Sequence, residues 1–323
     1  MLGIKASLGS DKKGDPLLFC DLLGRKRALL FDLGNNRFTT SQLRRVTDIF
    51  ISHTHIDHFI GFEKYLRLNI IEAHTVNVYG PPGITKNVRG KLDGYCWNIT
   101  EKLFLKIKVW EVLKKKIKTT TFDANSGFKI IKTETIDFDG ETLLDDKMIK
   151  VKFARMDHRT TCFSYLLEEK QYFNVKKDVL EQMNILPQAW LGLLKEMAAQ
   201  GNYENKSIEI EGVKYKAKAL IEELFIRKEG FRLGYITDIA FSAENIKEAL
   251  RIFKDVHHLY CESFFLDEDR EKAKFAYHLT AKQSGQLATM LGAKKLIPFH
   301  ISKRYLNVNK IIKEIKKEFK NVY

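Results

Sequence analysis

The chain has 323 residues, 44% hydrophobic and 30% charged, enough apolar material for one large domain or two small ones. Those proportions exclude a wholly disordered or fibrous protein, and no stretch approaches the roughly eighteen consecutive apolar residues of a membrane span. Lys and Arg number 55 against 41 Asp and Glu, a net charge of +14. The opening Met1-Leu2-Gly3-Ile4-Lys5 has no apolar export signal. Cys20, Cys96, Cys162 and Cys261 lie too far apart for a disulfide framework or a zinc knuckle. A cytoplasmic protein with no membrane partner is expected.

The predicted elements alternate strands with helices. Arg27 to Gly34 reads as a buried strand ending at a glycine, Asp48 to Ser52 as a second, and Val76 to Tyr79 as a third, stopped by Gly80-Pro81-Pro82-Gly83. The segment Ile84 to Lys132 holds twelve basic and four acidic residues, with Tyr95, Trp97, Phe104 and Trp110 among them. Such clustering favours a polyanion, since released counterions drive phosphate binding, with a solvated lysine face as the alternative; aromatics among lysines can stack on unpaired bases, but most of these four read as core residues. Ile149 to Arg155 alternates as a half-buried strand should. From about Lys170 to Arg232 the pattern changes to helices (Val179 to Met183, Trp190 to Ala199) and a hairpin around Glu211-Gly212, which reads as an insertion at about 170–232 into a single domain spanning 1–323. Leu233 to Thr237 and Lys295 to Phe299 are further short strands. Val308, Ile311, Ile312, Ile315, Phe319 and Val322 mark one apolar stripe of a terminal helix whose outer face is lysine-rich.

The chemistry concentrates directly after the second strand, in Ser52-His53-Thr54-His55-Ile56-Asp57-His58. Three of the nine histidines fall within six residues, with a carboxylate among them. A loop just past a buried strand is held by a rigid sheet, which suits metal ligands. Imidazole with carboxylate fits zinc, and also manganese or iron. In an extended loop His53 and His55 point the same way and can grip one ion, while Asp57 and His58 lie beyond the bend and can reach a second. His158, Asp238 and His300 supply further ligand types, each just past the end of another predicted strand. The adjacent His257 and His258 read as strand residues without a metal role.

With these residues in place the chain resembles the metallo-β-lactamase superfamily, marked by His-x-His-x-Asp-His followed by His, Asp and His on later strands. Within it, the resemblance is to ribonuclease Z. It runs from roughly Leu29 to Tyr305 and includes Tyr79-Gly80-Pro81-Pro82-Gly83, Asp157-His158 with Cys162 and Tyr165, and Phe173-Asn174-Val175. Cys261-Glu262-Ser263-Phe264, His278-Leu279-Thr280 and His300-Ile301-Ser302-Lys303-Arg304-Tyr305 also match. Ile185 to Ala189, opposite the family's arm tip, lacks its glycine-proline signature.

The resemblance implies a four-layer αββα sandwich, two mixed sheets between outer helices, with a helical and hairpin insertion like the family's flexible arm. It implies two zinc ions per chain: His53, His55 and His158 on one, Asp57, His58 and His300 on the other, and Asp238 bridging. Asp57 would also accept a proton, and His278, oriented by Glu262, would act beside the scissile phosphate. The implied activity is a zinc-dependent phosphodiesterase acting on RNA, in 3′-end processing of precursor tRNA that leaves a 3′-hydroxyl. The family tendency is a homodimer. Two other readings stand beside it: a metal-dependent hydrolase of a small ester such as a cyclic nucleotide, and a non-catalytic nucleic-acid-binding protein.

Overall fold

The protein is described by a computed structural model covering residues 3–170 and 172–323. Met1 and Leu2 of the opening pentapeptide, and Gln171 of the expected insertion, lie outside the described residues. The first sheet takes eight strands in chain order: β1 (Ile4–Leu8), β2 (Leu18–Leu22), β3 (Arg27–Phe31), β4 (Val46–Phe50), β5 (Thr75–Gly80), β6 (Lys106–Val112), β7 (Lys116–Asp123) and β8 (Lys129–Asp137). The neighbours from β3 to β6 run parallel, and the flanking pairs are antiparallel. β9 (Thr142–Asp145), β10 (Ile149–Asp157) and β11 (Thr161–Glu169) begin the second sheet.

The chain divides into two compact units, Glu169–Phe231 and the body, Gly3–Glu168 with Arg232–Tyr323. In the smaller unit β12 (Tyr172–Val175) pairs with β15 (Phe225–Lys228), and β13 (Ser207–Ile210) with β14 (Val213–Lys216). The β13–β14 turn sets Glu211 at φ 51° and Gly212 at φ 81°, the two left-handed residues that a tight hairpin needs. Helices Lys177–Gln182, Ala189–Gln200 and Ala217–Leu224 complete it. Trp190, Leu194, Ile208, Leu220, Leu224 and Phe225 give this unit a core of its own.

In the body, β16 (Arg232–Ile236), β17 (His258–Glu262) and β18 (Leu296–Phe299) finish a six-stranded sheet in the order β18-β17-β16-β11-β10-β9. The layering follows from residue alternation. Ala28 and Leu30 of β3, Ile49 of β4, and Val76 and Val78 of β5 face one way, onto Phe62, Tyr65 and Leu66 of helix Phe62–Asn69 and Ile84, Val88 and Leu92 of helix Ile84–Asp93. Their alternates Phe31, Phe50 and Tyr79 face the other way. Phe31 meets Tyr165 and Tyr235 of the second sheet at 5.7 Å between ring centroids, and Phe50 meets Tyr165 at 5.5 Å. On the far side of the second sheet, Ile236, Leu259, Cys261 and Leu296 pack with helices Ala243–Ile252, Ala281–Met290 and Val308–Glu318. Helix, sheet, sheet and helix therefore stack in four layers. Inner strands buried on both faces read as unbroken apolar runs.

The terminal helix is shorter than its periodicity predicts. It stops at Glu318; Phe319 is extended (φ −144°, ψ 121°), and Val322 forms a parallel bridge to Leu296. Here the edge of β18 offers hydrogen bonds to the last residues, and sheet pairing replaces the final turn. The four cysteines are unpaired. No helix among the described residues is long and apolar enough to cross a membrane.

Candidate metal centre

The parallel strands β3 and β4 of one sheet and β16, β17 and β18 of the other each end in a loop or residue that contributes to one site. Past β4, His53, His55, Asp57 and His58 lie on a short turn, with Ile56–Phe59 helical. The chain bends between His55, which is extended, and Asp57, where the motif places the bend. The bend is pinned by Gly61, whose amide donates to the Leu33 carbonyl at 2.6 Å. A Cβ at Gly61 would stand 2.4 Å from the Gly34 carbonyl oxygen, so only glycine permits this approach.

Two groups of ligand atoms result. Those of His53, His55, His158 and Asp238 lie within 4.8 Å of one another, as do those of Asp57, His58 and His300. Asp238 touches both groups: its carboxylate is 3.4 Å from His158 Nε2, 3.6 Å from His53 Nε2, 3.3 Å from His58 Nε2 and 2.8 Å from His300 Nδ1. His300 Nε2 lies 3.2 Å from Asp57. Asp238 and His300 both take left-handed backbone, each at φ 51°, an uncommon conformation that concentrates at functional sites.

Tautomers are set from behind. His58 Nδ1–H donates to the Asp32 carboxylate at 2.8 Å, and His158 Nδ1–H to the Tyr277 carbonyl at 2.7 Å. In the neutral ring each Nε2 is then a lone pair facing the cluster. His53 Nε2, His58 Nε2 and His300 Nδ1 are buried without a hydrogen bond, although the Asp238 carboxylate approaches all three. Buried polar atoms are rarely left so. Convergent lone pairs without aligned donors fit a cation.

Charge supports the same fit. Burial opposes ionisation of Asp238 and Asp57, yet the neighbouring histidines outweigh it and hold both well below the usual carboxylate range. Burial also disfavours charge on His58 and His300, but Asp238, joined by Asp32 at His58 and by Asp57 at His300, reverses this, raising His58 well above its ordinary value and His300 to about 9. His53, buried beside His58, is pushed down to about 2. The cluster is electron-rich and gathers positive charge.

Glu262, Asp238, His278 and His300 also converge. Glu262 is fully buried and already committed: Oε1 accepts from the Ile239 amide at 2.8 Å and Oε2 from His278 Nδ1–H at 2.7 Å. It serves as an anchor for His278, which stacks on Phe264 at 4.1 Å and 9°. Thr280 caps the following helix with Gln283 in a reciprocal pair, so the helix start and the histidine's placement are one feature. His257 lies away from the cluster, accepting from the Arg232 amide.

Sequence reasoning missed Asp32. Fully buried at the exit of β3 with φ 59°, it accepts from Ser52 N (2.6 Å), Ser52 Oγ (2.8 Å), His58 Nδ1 (2.8 Å) and Tyr235 OH (2.8 Å). The available signal was a carboxylate at the end of an apolar strand, one residue before Leu33-Gly34.

No protein-family model matches the chain. A ribonuclease Z of Deinococcus radiodurans is 29% identical over 281 residues, 86% of this chain and 83% of that protein. Among solved structures, the metallo-β-lactamase fold protein YhfI of Bacillus subtilis covers 99% of this chain and 92% of its own at TM-score 0.55 and 12% identity. Human tRNase Z, short form, covers 94% of this chain and 92% of its own at TM-score 0.52 and 18% identity. The chain has the metallo-β-lactamase fold, and its sequence relatives are proteins named ribonuclease Z.

Proposed function

We propose that this chain is a zinc-dependent endoribonuclease that trims the 3′ side of precursor tRNA and leaves a 3′-hydroxyl. The reading rests above all on the convergence of two histidine-rich ligand groups on Asp238 in a relative of ribonuclease Z. His53, His55 and His158 would hold one zinc ion and Asp57, His58 and His300 a second, with Asp238 shared. Once bound, two such ions activate a water and offset the charge that builds on an in-line phosphoryl transition state.

The chain's own groups do the rest. Asp57 is held ionised and its side chain remains 34% exposed, so it can take the proton of the attacking water. Burial lowers the pKa of His278, but the carboxylates of Glu262 and Asp238 outweigh it and raise it, which favours the protonated ring. The proton on Nε2, opposite the nitrogen given to Glu262, is placed for the leaving 3′-oxygen. The unit Glu169–Phe231, with its own core, is assigned the part of an arm inserted in a single catalytic domain. A homodimer is the oligomeric state proposed with this reading, to be checked by sedimentation equilibrium.

Incubation with a 3′-extended tRNA precursor tests the activity. A mature 3′-hydroxyl and a trailer bearing a 5′-phosphate are expected; an uncut precursor with full metal loading overturns the reading. Elemental analysis should find about two zinc ions per chain, because seven ligands exceed what one tetrahedral site uses. Asp238→Ala should lower the occupancy of both sites.

A further inference from the structure

Beside His278 the body opens into a cavity of about 800 Å³. Its wall includes His278, Tyr277, Arg159, Lys274, Phe275 and Phe241. The size suits a mononucleotide, within the usual range for small-ligand sites. Phe275 lies in the short helix Arg270–Ala276 and is 79% exposed, more than any other aromatic side chain among the described residues. That helix buries Ala273 and does not use Phe275 to dock. A single exposed apolar side chain is ordinary. This one lines a cavity against a candidate catalytic histidine, beside cations.

The charged lining is specific. Arg270 is tied to Asp267 through three hydrogen bonds, and the Asp157 carboxylate accepts from the Arg159 amide. Arg159 and Lys274 side chains have no acidic partner among the described residues, and Glu271 is the remaining acid of the wall. An aromatic face with two uncommitted cations matches a base with its phosphate. Through Tyr277 the same wall reaches the cluster, since the Tyr277 carbonyl orients His158.

We infer that this cavity is a nucleotide subsite: Phe275 stacks on the base of the substrate nucleotide flanking the scissile phosphate, and Lys274 and Arg159 face its phosphates. The inference rests on the endoribonuclease reading for its occupant, but its test does not need RNA cleavage. Calorimetric titration of the metal-loaded protein with adenosine 5′-monophosphate, ribose 5-phosphate and inorganic phosphate separates the base from the rest. The monophosphate should bind roughly 5- to 150-fold tighter than ribose 5-phosphate, the range for one stacked base. In Phe275→Ala that ratio should fall to about 1–2, with phosphate affinity unchanged; Phe275→Trp should keep or increase it. Phe275 is exposed, so the variants should fold.

A wild-type ratio near one, or a ratio untouched in Phe275→Ala, overturns the subsite. Loss of phosphate affinity in step with the ratio also overturns it, because Phe275 would then act through the metal centre. Retained base preference in a protein that leaves precursor tRNA uncut sinks the endoribonuclease reading alone.

Discussion

At the scale of single residues, the proposed activity separates groups that would face the reaction from groups that hold them. His278 belongs to the first kind. His278→Ala should keep both metals and precursor affinity while slowing cleavage by roughly two to four orders of magnitude, as loss of a general acid does; single-turnover kinetics at saturating enzyme reads this directly. Asp32 belongs to the second kind. Asp32→Asn keeps its shape but cannot accept from all four donors, so His58 loses its fixed tautomer. Metal affinity should fall roughly 10- to 100-fold, measured by competition with a chelator of known strength. The two residues also show what a sequence reveals. His278 was legible through its motif, and the His-x-His-x-Asp-His run through its density of ligand types. Asp32 was not, because a carboxylate that only accepts from neighbours leaves no spacing pattern; its partners Ser52, His58 and Tyr235 are 20, 26 and 203 residues away.

At the scale of elements, the strands that carry the site were the easiest to read. β3, β4, β5 and β18 are buried on both faces, so their apolar runs are nearly continuous. β8 was not legible as a strand: every residue of Lys129–Asp137 is exposed, and pairing with β7, not burial, makes it one. The β6–β7 turn projects Lys114 and Lys115 beside Lys116, the densest basic run. Changing all three to Gln should weaken precursor binding at low salt. The log–log salt slope should fall by roughly 0.7–0.9 for each phosphate that the variant no longer neutralises. An unchanged slope would make the run a solvated face. Arg27 of β3 offers a pH test between the sheets, since it pairs with Asp48 of its own sheet and with Asp146 just past β9. Burial, the largest single effect, raises the Asp146 pKa, but the Arg27 hydrogen bond, the Met148 and Ile149 amides and the Arg27 charge together outweigh it and lower it. A depressed carboxylate stabilises the fold above its unfolded pKa and loses that contribution as pH falls through the folded value. Asp146→Asn should therefore melt roughly 2–4 °C below wild type at pH 7. The gap should close below about pH 4 in a melting series.

At the scale of the whole molecule, the boundary at Glu169 and Phe231 matters most. The Glu169 amide donates to the Phe231 carbonyl at 2.8 Å, and Tyr172 stands opposite Lys228 in the β12–β15 ladder. Chain enters and leaves the smaller unit at one point. Replacing residues 172–228 with a short flexible linker should therefore spare metal loading and hydrolysis of a small chromogenic phosphodiester. Cleavage of precursor tRNA should collapse, since remote contacts position a large substrate. Equal loss on both substrates would place the segment in the core fold instead. The same doorway bears on how the body assembles. β11 and β16 are hydrogen-bonded neighbours, Leu167 opposite Leu233, although the entire smaller unit is threaded between them. As slack chain, that thread would cost about 4 kcal/mol of closure entropy before the two strands met. If the smaller unit collapses first on its own apolar residues, it becomes a clasp that brings those strands together. Refolding of the body would then wait on the smaller unit, and an early step would be set by a segment that contributes no candidate ligand to the metals.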